Sequence, residues 1–476
     1  MSKSTSGSNR TTRPAISRRA FLKSVGTTGA ASALTLVGAG LSPTKAGAQS
    51  AAPSASKAGP FLPPKARASS PLKITWWNWH GWHTDTINKV AAEYKKLYDQ
   101  NVTLETTAYP DAAQCRAAVR TAVTGGAGPD LWSTLPGGDM VSTATSGIAL
   151  SYSEIFKQDP EWQRSFYPFA NGLFSVNDTI WSVTPITNAY GLWYNKGLFE
   201  RYKVKVPTTY EEFKAAADIL RGNGITPVSV AGGAPTHPDM VFYWFVNSLG
   251  YGNKMLQADL GNASWTDPQL VEAMKIYEDF GRANVVPSGV LGIKEPDAIT
   301  LFASGKTAML FNGNWARTTL AKAKAPDMQL GFAMLPAAKA GAKQTALASI
   351  GISLTINKNG KNQEIAKSIS RFVSTGAGRA IYCGGVGIPP SGPTSEAEAK
   401  QIAAALNDPV WPECVAVGSK ATGLRHLFTP TVEQQLGQAA SLLLSGKGKA
   451  EEVLAQVEAA SKAAGKRDFT VPPWTM

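Results

Sequence analysis

Between Leu72 and Trp132 the chain switches repeatedly between β-rich runs and amphipathic stretches, and this alternation restricts it to one fold class. Leu72-Lys73-Ile74-Thr75-Trp76-Trp77 has the period of two expected of a strand. Ile87, Val90, Ala91, Tyr94 and Leu97 then recur at helical spacing on one face. Val102-Thr103-Leu104-Glu105 reads as the next strand, and a second helix runs through Cys115 to Val123. Gly125-Gly126-Ala127-Gly128-Pro129 stops that helix before a short strand, Asp130-Leu131-Trp132. Strand, helix, strand, helix, strand predicts a parallel sheet covered by helices, an α/β architecture. The pattern recurs later. Thr209 and Glu212 have capping-box spacing and open a helix to Leu220, Gly224 closes it, and Ile225–Val230 reads as a strand. Further helices are expected at Val241–Leu249, Pro268–Ala283 and Thr300–Ser304. No segment repeats with a period of roughly 20–50 residues, which excludes solenoids and propellers.

The first 71 residues read differently. Ser17-Arg18-Arg19-Ala20-Phe21-Leu22-Lys23 precedes a weakly apolar stretch, Val25 to Leu41, that ends near Ala46-Gly47-Ala48. A basic region, a short apolar region and a small-x-small site in that order predict a cleavable export signal over residues 1–48. The stretch falls short of the ~20 predominantly apolar residues that span a bilayer, and the Arg pair resembles the twin-arginine type of signal. Residues 49–71, rich in Ala, Ser, Pro and Lys, read as a disordered linker.

Of the formal net charge of +13, seven charges sit in residues 1–48, where no Asp or Glu occurs. The rest of this 476-residue chain is only modestly basic, with Lys and Arg scattered rather than striped, which argues against nucleic-acid binding. Beyond the signal, the chain is long enough for two domains with separate cores. No cysteine stands near the expected cleavage site, so the mature protein is expected to be soluble, without a lipid anchor. Cys383 and Cys414 could pair in an oxidising compartment, but three unpaired, buried thiols, with Cys115 the third, are the favoured reading.

Enzyme signatures are absent. Gly305-Lys306-Thr307 hints at a phosphate loop, but Thr300 stands where its first glycine is needed. There is no GxSxG and no HExxH. The four histidines, His80, His83, His237 and His426, lack metal-ligand spacing with carboxylates, so neither a metal nor a cofactor is expected. Aromatic density carries more. Trp76-Trp77-Asn78-Trp79-His80-Gly81-Trp82 holds four of the thirteen tryptophans just past a strand, where an α/β sheet opens its ligand crevice. Indole faces with Asn and His donors suit a sugar, which has C–H-rich ring faces and hydroxyl edges. Either Trp76 or Trp77 is expected in the core, while Trp79 and His80 face the crevice. Trp193, Tyr194, Phe242 and Phe245 read as core residues. Trp315, in Phe311-Asn312-Gly313-Asn314-Trp315, is the aromatic best placed to bind, because Gly313 permits a close backbone approach.

These segments stand in a familiar order. Gly128-Pro129-Asp130, Gly147-Ile148-Ala149-Leu150, Tyr194-Asn195-Lys196-Gly197-Leu198-Phe199 and Pro207-Thr208-Thr209-Tyr210 are followed by Phe302-Ala303-Ser304-Gly305-Lys306-Thr307-Ala308-Met309 and Gly313-Asn314-Trp315. Over roughly residues 72–460 the chain resembles the extracellular solute-binding proteins of ABC importers, in the sugar-binding cluster that includes maltose-binding proteins. The resemblance implies an α/β, periplasmic-binding-protein-like fold with two discontinuous lobes, hinge strands between them and the ligand in the interlobe cleft. Lobe 1 would comprise residues 72–185 with 351–400, and lobe 2 residues 188–345 with 405–476. The crossings would fall near Val183–Thr187, Ala346–Ile350 and residues 400–410. It also implies ligand contacts from Asn78, Trp79, His80, Gly138, Asp139, Asn188, Tyr190, His237, Asp239, Trp315 and Arg425. His and Asn stand where maltose binders commonly have carboxylates. The implied function is a periplasmic, monomeric receptor, not an enzyme, that captures a neutral sugar or oligosaccharide and delivers it to ABC permease subunits in the inner membrane. Two alternatives stay open. One is a receptor for a charged solute such as a polyamine, phosphate or iron; the other is an exported carbohydrate-active enzyme using Asp139 and Asp239.

Overall fold

A computed structural model describes residues 72–98, 101–233, 237–421 and 426–472. The expected signal (1–48) and linker (49–71) lie outside the described residues, and so does Arg425. All described residues belong to one unit, Ala55–Met476.

The first sheet grows out of the opening alternation. Its strands are β1 (Leu72–Asn78), β2 (Val102–Ala108) and β3 (Leu131–Trp132). β2 and β3 flank β1 in parallel, Leu72 pairing with Val102 and Trp76 with Leu131. The helix Thr84–Tyr98 buries Ile87, Val90 and Tyr94 from the predicted face. The helix Ala112–Thr124 is capped by Asp111, whose carboxylate accepts from Gln114 N at 2.8 Å. Asp130 ties β1 to β3: its Oδ2 accepts from Thr75 N at 2.9 Å and from Thr75 Oγ1 at 3.0 Å.

The second sheet is mixed. It holds β4 (Asn188–Asn195), β5 (Thr226–Ser229), β6 (Thr307–Gly313), β7 (Leu330–Ala333) and β8 (Leu347–Ser349). β6 and β8 flank the start of β4, both antiparallel to it, and β7 pairs with its end. β5 runs parallel to β6. β6 is buried at every position, so both faces of this sheet are covered. Leu310 and Trp193 face the core shared with the first sheet, while Met309, Phe311 and Leu192 face a second core. The helix Tyr210–Gly222 forms there with Thr209 as its cap, accepting from Glu212 N at 3.2 Å. Glu212 reaches back to Thr208 N rather than to Thr209 N, one residue earlier than a regular capping box. Phe242 and Phe245 are buried on the helix Pro238–Ser248, as expected.

After β8 the chain returns to the first sheet as β9 (Thr355–Ile356), antiparallel to β3. Three segments lie side by side where it passes between sheets. Val183 bridges Leu354, Ile186 bridges Pro390, and Thr187 N donates to Pro389 O at 2.7 Å. The helix Glu396–Leu406 packs on Gly376–Val386 beside the first sheet, and Trp411–Gly418 packs on β7 of the second. The three cysteines are free and buried, the favoured reading; Cys383 and Cys414 do not pair. Of the adjacent tryptophans, Trp76 enters the main core, and Trp77 joins a small cluster around Cys115 on the opposite face.

Candidate functional site

The site begins where β1 ends. Asn78 is fully buried, and its Oδ1 accepts from His80 N at 2.7 Å, turning the chain out of the sheet. Its side chain is therefore spent on the turn. That turn presents Trp79 and His80, whose rings lie 4.8 Å apart, and His80 also meets Trp82 at 5.4 Å. His80 Nε2 donates to Gly351 O at 2.8 Å. Burial lowers the His80 pKa to about 4, the Gly351 bond opposing it, so the ring is neutral at pH 7.

Gly351 is the meeting point. A Cβ there would lie 3.4 Å from both the His80 ring and the Asn188 amide. Asn188 opens β4, so a residue from each sheet converges on this glycine. The Asn188 side chain is buried, and its Oδ1 has no hydrogen-bond partner among the described residues.

Two residues along β4, on the same face, Tyr190 starts an aromatic and charged group. Its ring stacks on Phe311 at 5.5 Å and meets the edge of Trp315 at 4.8 Å and His237 at 5.8 Å. Trp315 lies flat on the Gly313 backbone, in the space a side chain at 313 would fill. Its Nε1 donates to Glu295 Oε1 at 2.8 Å. His237 Nε2 lies 3.8 Å from the same oxygen, beyond hydrogen-bond length. Burial pushes the Glu295 carboxyl up. His237 and the Asn312 amide beside it, with donation from Trp315, outweigh that and hold it at about 2.

The other expected residues lie elsewhere. Gly138 N donates to Leu427 O at 3.0 Å, and Gly137, at φ +81°, packs against the same carbonyl, so this loop meets the segment just after residue 425. Asp139 is ion-paired with Arg116 and shares a shallow cleft with Trp79, Trp132, Arg120 and Ser142. Asp239 is buried on the helix Pro238–Ser248, where its charge acts on Tyr277. Thus Trp79, His80 and Asn188 come together, as do Tyr190, His237 and Trp315, but Tyr190, expected to touch ligand, is wholly buried between Phe311 and Trp315, and Asn78 and Asp239 are interior as well. Glu295 was not anticipated. It is the first residue of the helix Glu295–Ala303, twenty positions before Trp315, and no local pattern singles it out. Among the described residues no group of three or more His, Cys, Asp or Glu could hold a metal ion. No described helix is long and apolar enough to cross a membrane.

Known proteins share this fold. A family model for bacterial extracellular solute-binding proteins matches residues 80–379. The chain is 24% identical over 307 residues to a multiple sugar-binding protein of Streptococcus mutans, covering 62% of this chain and 70% of that one. It is 28% identical over 188 residues to a putative binding protein of Brucella abortus, a match that takes in 39% of this chain and spans only 44% of that relative's length. Among solved structures, a chitin oligosaccharide binding protein superimposes with a TM-score of 0.68 at 20% identity, over 83% of this chain and 99% of that one. The fold is α/β and periplasmic-binding-protein-like. With the family model matching well over half of its length, the chain belongs to the bacterial extracellular solute-binding protein family.

Proposed function

We propose that this protein is the extracytoplasmic receptor of an ABC importer, capturing a neutral sugar or oligosaccharide and delivering it to membrane permease subunits. The observation that carries this reading is the wall formed by Trp315, Glu295 and His237, backed by the buried Tyr190 ring, which continues through Asn188 to His80 and Trp79. It alternates aromatic rings with polar groups, as a sugar's apolar faces and hydroxyl edges require. The multiple sugar-binding protein of Streptococcus mutans and the chitin oligosaccharide binding protein support it by their names.

In this reading residues 72–185 with 351–400 form one lobe and residues 188–345 with 405–476 the other. The crossings near 183–187, 346–350 and 400–410 serve as the hinge, the first of them bridged to Leu354 and Pro390. Sugar settles on one lobe, and rotation brings in the other, shifting the population toward a closed state. No bond is made or broken. Ser17–Lys23 and the apolar stretch after it support export by the twin-arginine route to the periplasm, where the protein works as a monomer. Isothermal calorimetry against neutral mono- to trisaccharides tests the reading. Saturable binding of at least one is expected; a folded protein that binds none overturns it.

A further inference from the structure

Glu295 is a carboxylate beside Trp315 and His237, and it is held in an unusual way. One oxygen, Oε1, is tied to Trp315 Nε1 at 2.8 Å and faces His237 Nε2 at 3.8 Å. The side chain is nevertheless a third exposed, so the group is anchored on one side and open on the other. Surface carboxylates of this protein answer Lys or Arg, as Glu272 answers Lys339 and Asp279 answers Lys214. Among the described ion pairs Glu295 has no Lys or Arg, only His237.

A second, independent observation points to a ligand. His237 is buried to within a few per cent, yet neither ring nitrogen has a hydrogen-bond partner among the described residues. Asn188 Oδ1, on the same wall, is also buried without one. Buried polar atoms left unpaired are destabilising, so such a set persists where something else completes it. The open Glu295 oxygen accepts only; Asn188 Oδ1 accepts; the imidazole can donate or accept. Adjacent hydroxyls of a pyranose supply both kinds of partner, and the ring face has the partly exposed Trp315 to lie against.

We infer that Glu295 is a ligand-contacting residue that sets charge specificity: it accepts from hydroxyls of an uncharged sugar ring and rejects sugars that carry a carboxylate. The inference rests on the receptor reading and deepens it by naming the residue that selects an uncharged ligand. A uronate placed here would set one carboxylate against another in a partly dehydrated site, where like charges repel far more than in water. The Trp315 bond gives Glu295 a fixed aim, so its discrimination does not depend on a flexible side chain finding its partner.

The test is calorimetry of the purified protein and of Glu295→Gln against glucose, galactose and maltose, with glucuronate and galacturonate as matched acids. Gln keeps the shape and can still accept from Trp315, and circular dichroism reports whether the variant is folded. For the wild type, a neutral sugar should bind at least about tenfold tighter than its uronate. Glu295→Gln should weaken the neutral sugar by about tenfold or more and narrow its lead over the uronate, as expected for loss of a charge-assisted hydrogen bond. If folded Glu295→Gln binds the neutral sugar within twofold of wild type, or the wild type prefers the uronate, the inference is overturned while the receptor reading stands. If the folded wild type binds no sugar, both fall together. Should Glu295→Gln not fold, the wild-type preference between sugar and uronate decides alone.

Discussion

His80 Nε2 donates to the carbonyl of Gly351 at 2.8 Å across 271 positions of sequence, tying the turn after β1 to the segment just past β8. The bond selects the tautomer with its proton on Nε2 and sets the ring beside Asn188. His80→Ala should lower the melting temperature by about one to two degrees, for a lost bond of about 1 kcal/mol. Under the receptor reading it should also weaken sugar binding by about tenfold, measured by calorimetry. Unchanged affinity in a folded variant would remove His80 from the site.

Two histidines make the fold acid-sensitive. Burial lowers the His80 pKa to about 4 and that of His83, with His80 adding to the effect, to about 3. Both lie below the value of about 6.5 for an unfolded chain. The unfolded state therefore binds more protons, and stability falls as pH drops from about 6.5 toward 4. Asp259 runs the other way: burial raises it to about 6, so its contribution is present at low pH and lost as pH rises through 6. Two groups against one leave a net loss, at most about 1.4 kcal/mol per pH unit. Thermal melts from pH 7 to 4.5 should show a falling midpoint, flatter in His83→Asn. A level or rising midpoint would contradict this.

Gly313 makes room for an indole. Its φ of −85° would suit any residue, so the requirement is purely for space beneath the Trp315 ring. Gly313→Ala should push the ring off the backbone and break its bond to Glu295, at about 1–3 kcal/mol for overpacking. A shift in tryptophan emission with weaker sugar binding is expected. An unchanged spectrum and affinity would show that the ring is not held there.

The three thiols should be inert in the native protein. Burial pushes Cys115 and Cys383 up to about 12 and raises Cys414 as well, so none supplies thiolate at neutral pH. A thiol reagent should label none before unfolding and all three after it, and reduction should leave the intact mass unchanged. A mass gain on reduction would reveal a disulfide.

Much of the fold was legible because its signals are local. Helical spacing of Ile87, Val90 and Tyr94 marked a buried face, and the glycines after Val123 marked a stop. Trp315 could be picked out because the glycine it needs stands two residues before it. Polar partners were not legible. Asn78 looked like a ligand contact but closes its own turn, and Asp139, expected to contact ligand, is matched by Arg116 on a neighbouring helix. Glu295 carries no mark in its own segment, since its role comes from Trp315 and His237, which two other loops supply.

The sequence by itself determined the α/β class, the succession of strands and helices and which aromatics fill the cores. Hydrophobic periodicity and turn chemistry act over a few residues, and they suffice for that. Only the tertiary structure decided that His80 meets Asn188 over Gly351, and that Glu295 is held between Trp315 and His237. Hydrogen bonds and charge contacts are made by whichever groups the packed sheets bring within about 3–4 Å, and distance along the chain says nothing about that.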